Sequence, residues 1–392
     1  MLPLKKLAIV TSHPIQYNAP LFQLLAKRGH IRIKVFYSWG KHAIESKFDP
    51  GFGKVIKWDI PLLDGYEYEF LENVSSEKGS HHFKGIVNPD ILKQIDSFDP
   101  DSILVFGWAF QSHLKVLRHY HNKKRILFRG DSTLLRRSSA IKEKARTLFL
   151  TWVYKHIDIA LYVGQRNLSY FKKYGLKNNQ LVFAPHAIDN DRFSDNKEKN
   201  ESEAMELRRQ MGINPGSIVF LYAGKLEKIK DIRNLLLAFI ISGADHKSEL
   251  LIVGNGDLEK ELKEEFGHNA SIYFMDFQNQ MKMPTVYRMA DIFILPSISE
   301  TWGLSVNEAM ACGLPIIVSE RVGCAPDLIR EGKNGVIFKA EDIHDLGEKL
   351  AWMCKDKSTL KNMGNISQEI ISDFTFQKVS EAIEHSVLIN YY

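Results

Sequence analysis

The chain has 392 residues, 44% of them hydrophobic and 25% charged, with a formal net charge of +5. That is too long for one ordinary hydrophobic core and ordinary in composition for a globular protein, so two domains are expected. Three cysteines, Cys312, Cys324 and Cys354, stand in no metal-ligand spacing; they argue against a disulfide scaffold and fit unpaired thiols in a reducing cytoplasm.

Residues 7–11 form an apolar run too short for a signal peptide or a membrane span and read as a first strand. No later stretch approaches the ~20 apolar residues of a spanning helix, so a soluble or peripherally attached protein is expected. The first strand runs into Ser12-His13-Pro14-Ile15-Gln16-Tyr17-Asn18-Ala19-Pro20. His13, Gln16 and Asn18 offer polar groups for acceptor or donor contact, and the alternative is a turn stiffened by Pro14 and Pro20. Further strands are expected at 33–37, 102–106, 125–128, 159–163 and 181–184, alternating with helices as in a parallel α/β architecture. Arg129 and Asp131, just past strand 125–128, are site candidates by position.

Charge is unevenly shared: residues 1–190 hold 29 of the 52 Lys and Arg but 16 of the 47 Asp and Glu. The excess concentrates between Lys115 and Lys177, in Lys123-Lys124-Arg125, Arg136-Arg137, Lys142, Lys144, Arg146 and Lys172-Lys173. It reads either as a solvated face or as a surface for an anionic partner, such as lipid headgroups or a phosphorylated acceptor. Nucleic acid is disfavoured, because no recognition motif or aromatic interleaving accompanies the charge.

Residues 191–215 are polar and charged and read as a linker followed by a short helix. A second strand series follows at 218–223, 249–253, 271–274, 291–295, 315–318 and 335–338. The first of these runs into Gly224-Lys225-Leu226-Glu227-Lys228-Ile229-Lys230. Gly224 permits close backbone approach, and two ammonium groups five residues apart can converge on a diphosphate. Read alone, such a segment is more often a charged surface loop. The second strand ends in Gly254-Asn255-Gly256, whose glycines read as packing and turn residues. Strand 291–295 is followed by Glu300 and Glu308, with a helix over 306–312 stopped by Gly313 and Pro315. Glu300 then lies at the carboxyl end of a strand, where open α/β sheets bind ligands, and Glu308 on the first turn of the helix. The helix N-terminus beside Gly303 suits a phosphorylated ligand, and a first-turn carboxylate can take two ribose hydroxyls. The alternative is a solvated loop glutamate and a helix-dipole carboxylate. The tail from Phe374 reads as an amphipathic helix with Val379, Ile383 and Val387 on one face.

Tyr287, Ala290-Asp291, Pro296-Ser297, Glu300-x7-Glu308 and Glu308-Ala309-Met310-Ala311-x-Gly313-x-Pro315 together resemble the signature of the retaining, nucleotide-sugar-dependent glycosyltransferases of the GT-B fold, the family-4 group. The resemblance implies two Rossmann-like α/β/α domains facing across a cleft: an acceptor-binding domain over 1–190, a donor-binding domain over 216–373, and a terminal helix, 374–392, crossing back to the first. It implies that Lys225 and Lys230 bind the donor pyrophosphate, with Gly224 beside them, and that Glu308 holds the ribose. Glu300 and the backbone of Trp302, Gly303 and Leu304 would hold the sugar, and the segment ending at Phe277 would lie near the base. No cofactor or metal is implied, because two lysines neutralise the leaving diphosphate. The implied partners are a nucleotide-sugar donor and a glycan or lipid-linked acceptor. The first domain departs from the family: the loop after its first strand lacks glycine, and no histidine follows Phe128. These departures keep open a noncatalytic sugar-nucleotide-binding partner, with an epimerase or hydrolase of the same fold as a further alternative.

Overall fold

The computed structural model describes residues 3–41, 47–49, 54–135, 139–246 and 248–389; Arg136 and Arg137 of the basic run lie outside them. The strands in chain order are β1 (Lys6–Thr11), β2 (Arg32–Tyr37), β3 (Lys47–Asp49), β4 (Lys54–Ile56), β5 (Glu67–Phe70), β6 (Ser102–Phe106), β7 (Arg125–Arg129), β8 (Ile159–Tyr162) and β9 (Leu181–Phe183), then β10 (Ile218–Ala223), β11 (Ser248–Val253), β12 (Ile272–Met275), β13 (Ile292–Leu295), β14 (Ile316–Ser319) and β15 (Gly335–Phe338). Leu7, Ala8, Ile9 and Val10, and likewise Val219 to Tyr222, are wholly buried. Parallel strands covered by helices on both faces require such unbroken apolar runs.

The chain divides into two units. The first carries a sheet in the order β5-β2-β1-β6-β7-β8-β9, the second one in the order β12-β11-β10-β13-β14-β15. Neighbouring strands are parallel wherever the pairing is resolved, with Ile9 facing both Val35 and Leu104, and Leu221 facing both Leu251 and Phe293. Each order reverses direction beside its first strand, which is the doubly wound arrangement. The sequence reading passed over β5, because Glu-Tyr-Glu-Phe lacks an apolar run. It is an edge strand whose glutamates face cations across the register, Arg32 Nη2 to Glu67 Oε2 at 3.0 Å and Lys34 Nζ to Glu69 Oε2 at 2.7 Å.

Two expected boundaries shift. The supposed linker is mostly helix, over Asn190–Ser194 and Lys197–Met211, and belongs to the second unit. Arg208 fastens it there, donating to Met289 O at 2.8 Å and to Asp291 Oδ2 at 2.9 Å. Its polarity reflects a helix mostly in solvent. The terminal helix spans Phe376–Leu388, and Phe374 instead packs against Trp302 in the second unit.

That terminal helix joins the first unit, packing on helix Ala19–Arg28. Val379, Ile383 and Val387 are buried, as the pattern indicated. The buried Glu384 carboxylate takes Arg28 Nε at 2.8 Å and Nη2 at 2.7 Å, with His30 Nδ1 at 3.0 Å. Burial alone would raise the Glu384 pKa, but the Arg28 and His30 contacts outweigh it and hold the carboxyl below its usual range. Removing one partner strands a buried charge. Arg28→Ala is expected to cost about 3 kcal/mol in chemical denaturation, whereas exposed Lys5→Ala, which loses its partner Asp101, should cost under about 1 kcal/mol; equal costs would mean the Glu384 contact does not hold the helix.

Candidate functional site

In the second unit the topology sends the chain opposite ways from β10 and β13, so the loops after them part at the carboxyl edge of the sheet. Glycines determine how tightly the neighbouring loop closes. A Cβ on Gly254, whose φ is +138°, would sit 1.9 Å from Gly224 O, and one on Gly256 2.6 Å from Leu226 O. The loop after β11 therefore lies directly on the Gly224–Leu226 backbone, sealed by Leu226 N to Asn255 O and Leu258 N to Leu226 O, both 3.0 Å. Gly254 and Gly256 are thus packing glycines.

The loop after β10 is itself fixed. Tyr222 is buried and donates to Lys225 O at 2.7 Å, and burial, reinforced by Glu300 and Glu227, pushes its phenol well above its ordinary pKa. The backbone places Lys230 beside the loop after β13, where Ile298 N donates to Ile229 O at 3.0 Å. Lys230 Nζ forms an ion pair with Glu300 Oε2, both side chains about four-fifths buried. On its other side the Glu300 segment is pinned to the loop after β14, with Glu300 N to Arg321 O at 3.2 Å and Gly323 N to Glu300 O at 3.0 Å. Two of the residues expected at the site, Lys230 and Glu300, are therefore joined across the strand switch, and Lys225 sits on the same edge.

The following helix starts two residues earlier than expected, at Leu304, and runs to Ala311. Gly303 caps it at φ +98°, with no side-chain cap; a Cβ there would meet Leu295 Cδ2 at 2.8 Å. Glu308 is consequently on the second turn rather than the first. It is buried, 3% exposed, and Tyr287 Oη donates to its Oε2 at 2.7 Å. The Trp302 ring also turns inward, its Nε1–H donating to buried Asn307 Oδ1 at 2.9 Å. What Trp302, Gly303 and Leu304 present at this edge is backbone. The Phe277 N–H is held by Asn255 Oδ1 at 2.8 Å, while its ring stands edge-on to Trp58 at 6.3 Å. Trp58 was not singled out from sequence; an aromatic 219 positions away carries no local signal.

In the first unit, the loops after β1 and β6 flank the corresponding switch. Ser12 Oγ lies 2.9 Å from His13 Nδ1, and the His13 ring meets Trp39 edge-on at 5.0 Å. Gln16 and Asn18 are half-buried, and Asn18 stands at the head of helix Ala19–Arg28. Arg129, a candidate by position, is engaged by backbone. It is buried and donates from Nη1 to Ala184 O at 2.8 Å and from Nη2 to Pro185 O at 2.9 Å. Burial pushes its pKa down to about 10, with Asp131 opposing. The carbonyl clamp thus moves Arg129 from a ligand role to positioning the loop after β9. That loop brings His186 Nε2 within 3.8 Å of Asp131 Oδ2, so a histidine absent beside Phe128 in sequence arrives from elsewhere in space. His113 is a second residue missed. It is fully buried, with Nε2 2.8 Å from Ser38 Oγ and Nδ1 3.1 and 3.0 Å from the carbonyls of Phe106 and Gly107. Among the described residues no group of three or more His, Cys, Asp or Glu side chains is placed to hold a metal ion.

Residues 203–370 match the family model described as glycosyl transferases group 1. The sulfoquinovosyl transferase of Arabidopsis thaliana is 26% identical over 53% of this chain and 39% of its own length. The D-inositol 3-phosphate glycosyltransferase of Corynebacterium jeikeium is 29% identical over 51% of this chain and 49% of its own length. The matches therefore span half or less of these two curated relatives. Among solved structures, Anabaena HepE in complex with UDP superposes with a TM-score of 0.73 at 18% identity, covering 98% of this chain and 99% of that one. The fold is GT-B.

The His113 contacts generate a pH prediction. Burial pushes its pKa down to about 4, against about 6.5 unfolded, so the folded protein keeps it neutral with Nδ1–H donating to the carbonyls. Its contribution is fully present above pH ~6.5 and is lost as pH falls toward ~4, by about 3 kcal/mol at most. Urea titrations across that window should show a shallower loss of stability in His113→Gln than in the parent; parallel curves would remove His113 as the source.

Proposed function

We propose, from the match of residues 203–370 to the glycosyl transferases group 1 model, that this chain is a retaining glycosyltransferase. It moves a sugar from a UDP- or GDP-linked donor to a glycan or lipid-linked acceptor in cell-surface polysaccharide synthesis. The observation that carries this reading is the meeting of Lys230 with Glu300 at the carboxyl edge of β10 and β13, beside Lys225 and a glycine-capped helix start. The Anabaena neighbour was solved with UDP, which supports a nucleotide donor.

On this reading Lys225, Lys230 and the N–H groups at Leu304 receive the donor diphosphate, whose charge grows as the glycosidic bond breaks. Two ammonium groups are point charges and supply that neutralisation without a bound metal. Glu300 exchanges its Lys230 partner for sugar hydroxyls, which couples sugar seating to release of Lys230 onto phosphate. Tyr287 orients the Glu308 carboxylate for the ribose. The Trp58–Phe277 edge offers an aromatic surface to the base. Retention follows from front-face attack, with the departing diphosphate assisting deprotonation of the acceptor.

Thermal unfolding with a panel of nucleoside diphosphates and their sugars, with and without chelator, tests the donor half of the reading. A ligand at 100 times its Kd should stabilise by about 2.7 kcal/mol, unchanged by chelator. No shift in a folded sample would overturn it; binding without sugar consumption across an acceptor panel would instead mark a noncatalytic partner. Glu300→Gln is expected to lower turnover about 100-fold and Glu308→Gln to weaken donor binding about tenfold. Equal effects of both on donor affinity alone would overturn the role assignment.

A further inference from the structure

Helix Ala140–Tyr154 of the first unit is apolar on two opposite faces. Leu150, Val153 and Tyr154 point into the core. On the opposite side, Ile141, Ala145, Leu148 and Trp152 recur at spacings of four, three and four, which aligns them in one stripe. Ile141 is 83% exposed, Leu148 75% and Trp152 39%, with Phe149 beside the stripe at 41%. A helix face of this kind in water marks an interaction surface, because a solvated helix ordinarily turns polar residues outward.

Its flanks indicate what covers it. Lys144 and Lys155 fall along one side of the stripe and Lys142 along the other, all exposed. The single carboxylate of the helix, Glu143, is turned the other way, onto Lys173 Nζ at 2.5 Å. Trp152 continues the surface into a shallow pocket: Arg118 stacks over its ring at 5.6 Å and His156 meets it edge-on at 5.1 Å. Arg118 and His156 line that pocket with Lys84, Lys115, His119 and His121, and among the described residues no carboxylate lines it. Lysines whose stems lie along an apolar stripe, with a tryptophan and a phenylalanine at its edge, match the chemistry of an anionic lipid interface. No helix among the described residues is long and apolar enough to cross a membrane, so such a contact would lie along the surface.

We propose that the outer face of helix Ala140–Tyr154, with the cationic pocket beside Trp152, docks this unit onto an anionic lipid surface. The stripe enters the acyl boundary while the lysines and the pocket receive headgroup phosphates. The docking is independent of the donor reading, since none of these residues belongs to the second unit.

The test is flotation of the full chain with phosphatidylcholine vesicles and with phosphatidylcholine–phosphatidylglycerol vesicles, at low and raised salt. Binding to the anionic vesicles, weakened by salt, is expected. Ile141→Ser with Leu148→Ser should lower that affinity about tenfold or more, from the apolar area removed. Lys144→Glu with Lys155→Glu should lower it as much at low salt and less at raised salt. All four side chains are exposed, so the variants should keep the parent's thermal unfolding, which is measured alongside. Failure of the folded parent to float with anionic vesicles, equal flotation with neutral ones, or indifference to the serine pair would each overturn the proposal. Self-association that the serine pair abolishes, without flotation, would assign the stripe to a second copy instead.

Discussion

Parallel strand pairing at β10 is the constraint from which the second unit's edge follows. β10 is hydrogen-bonded to β11 on one side and β13 on the other. Parallel neighbours need crossover connections, so successive loops at the carboxyl edge are carried to opposite sides. That alone opens a gap between the loops after β10 and β13. Gly254 and Gly256 remove the alternative by letting the β11 loop collapse onto Gly224 and Leu226. One side of the β10 loop is thereby sealed by backbone, and the Lys230–Glu300 pair bridges the other.

Charge is handled differently at the two kinds of position. Where the fold needs rigidity, polar groups are buried and turned inward: Arg129 onto two carbonyls, His113 between Ser38 and the end of β6, Glu308 under Tyr287. A buried polar group of this sort is costly unless paired, so each fixes the geometry around it. Lys230 and Glu300, by contrast, are paired with each other at the carboxyl edge of the sheet and keep about a fifth of their side chains in solvent. Helix Ala140–Tyr154 shows the same logic in reverse, with its carboxylate turned back and its large apolar side chains left in water.

The buried strands were legible in both units. Strands 102–106, 218–223 and 335–338 were read with their observed bounds, because doubly buried strands are continuous apolar runs. Lys230 and Glu300, expected near one another from their place after such strands, do meet. The start of the helix at Leu304 was missed because Gly303, at φ +98°, can cap a helix where a residue with a side chain would be strained. β5 escaped because an edge strand need not be apolar, and the helix Lys197–Met211 because Ala204 is its one buried residue, which leaves no apolar periodicity to read.

Sequence by itself determined the α/β alternation, the two strand series and the order of motifs along the second, since these depend on local periodicity and on residues adjacent in the chain. Tertiary structure alone decided which groups meet: Lys230 with Glu300, Tyr287 with Glu308, Trp58 with Phe277, His186 with Asp131. It also decided that Arg129 and Trp302 face inward. The reason is physical: a side chain's direction at a sheet edge is set by how far neighbouring loops can approach and which buried donors lack a partner. Those are properties of strands paired across as many as 95 residues, as Leu7 is with Ser102, which no local window of the chain contains.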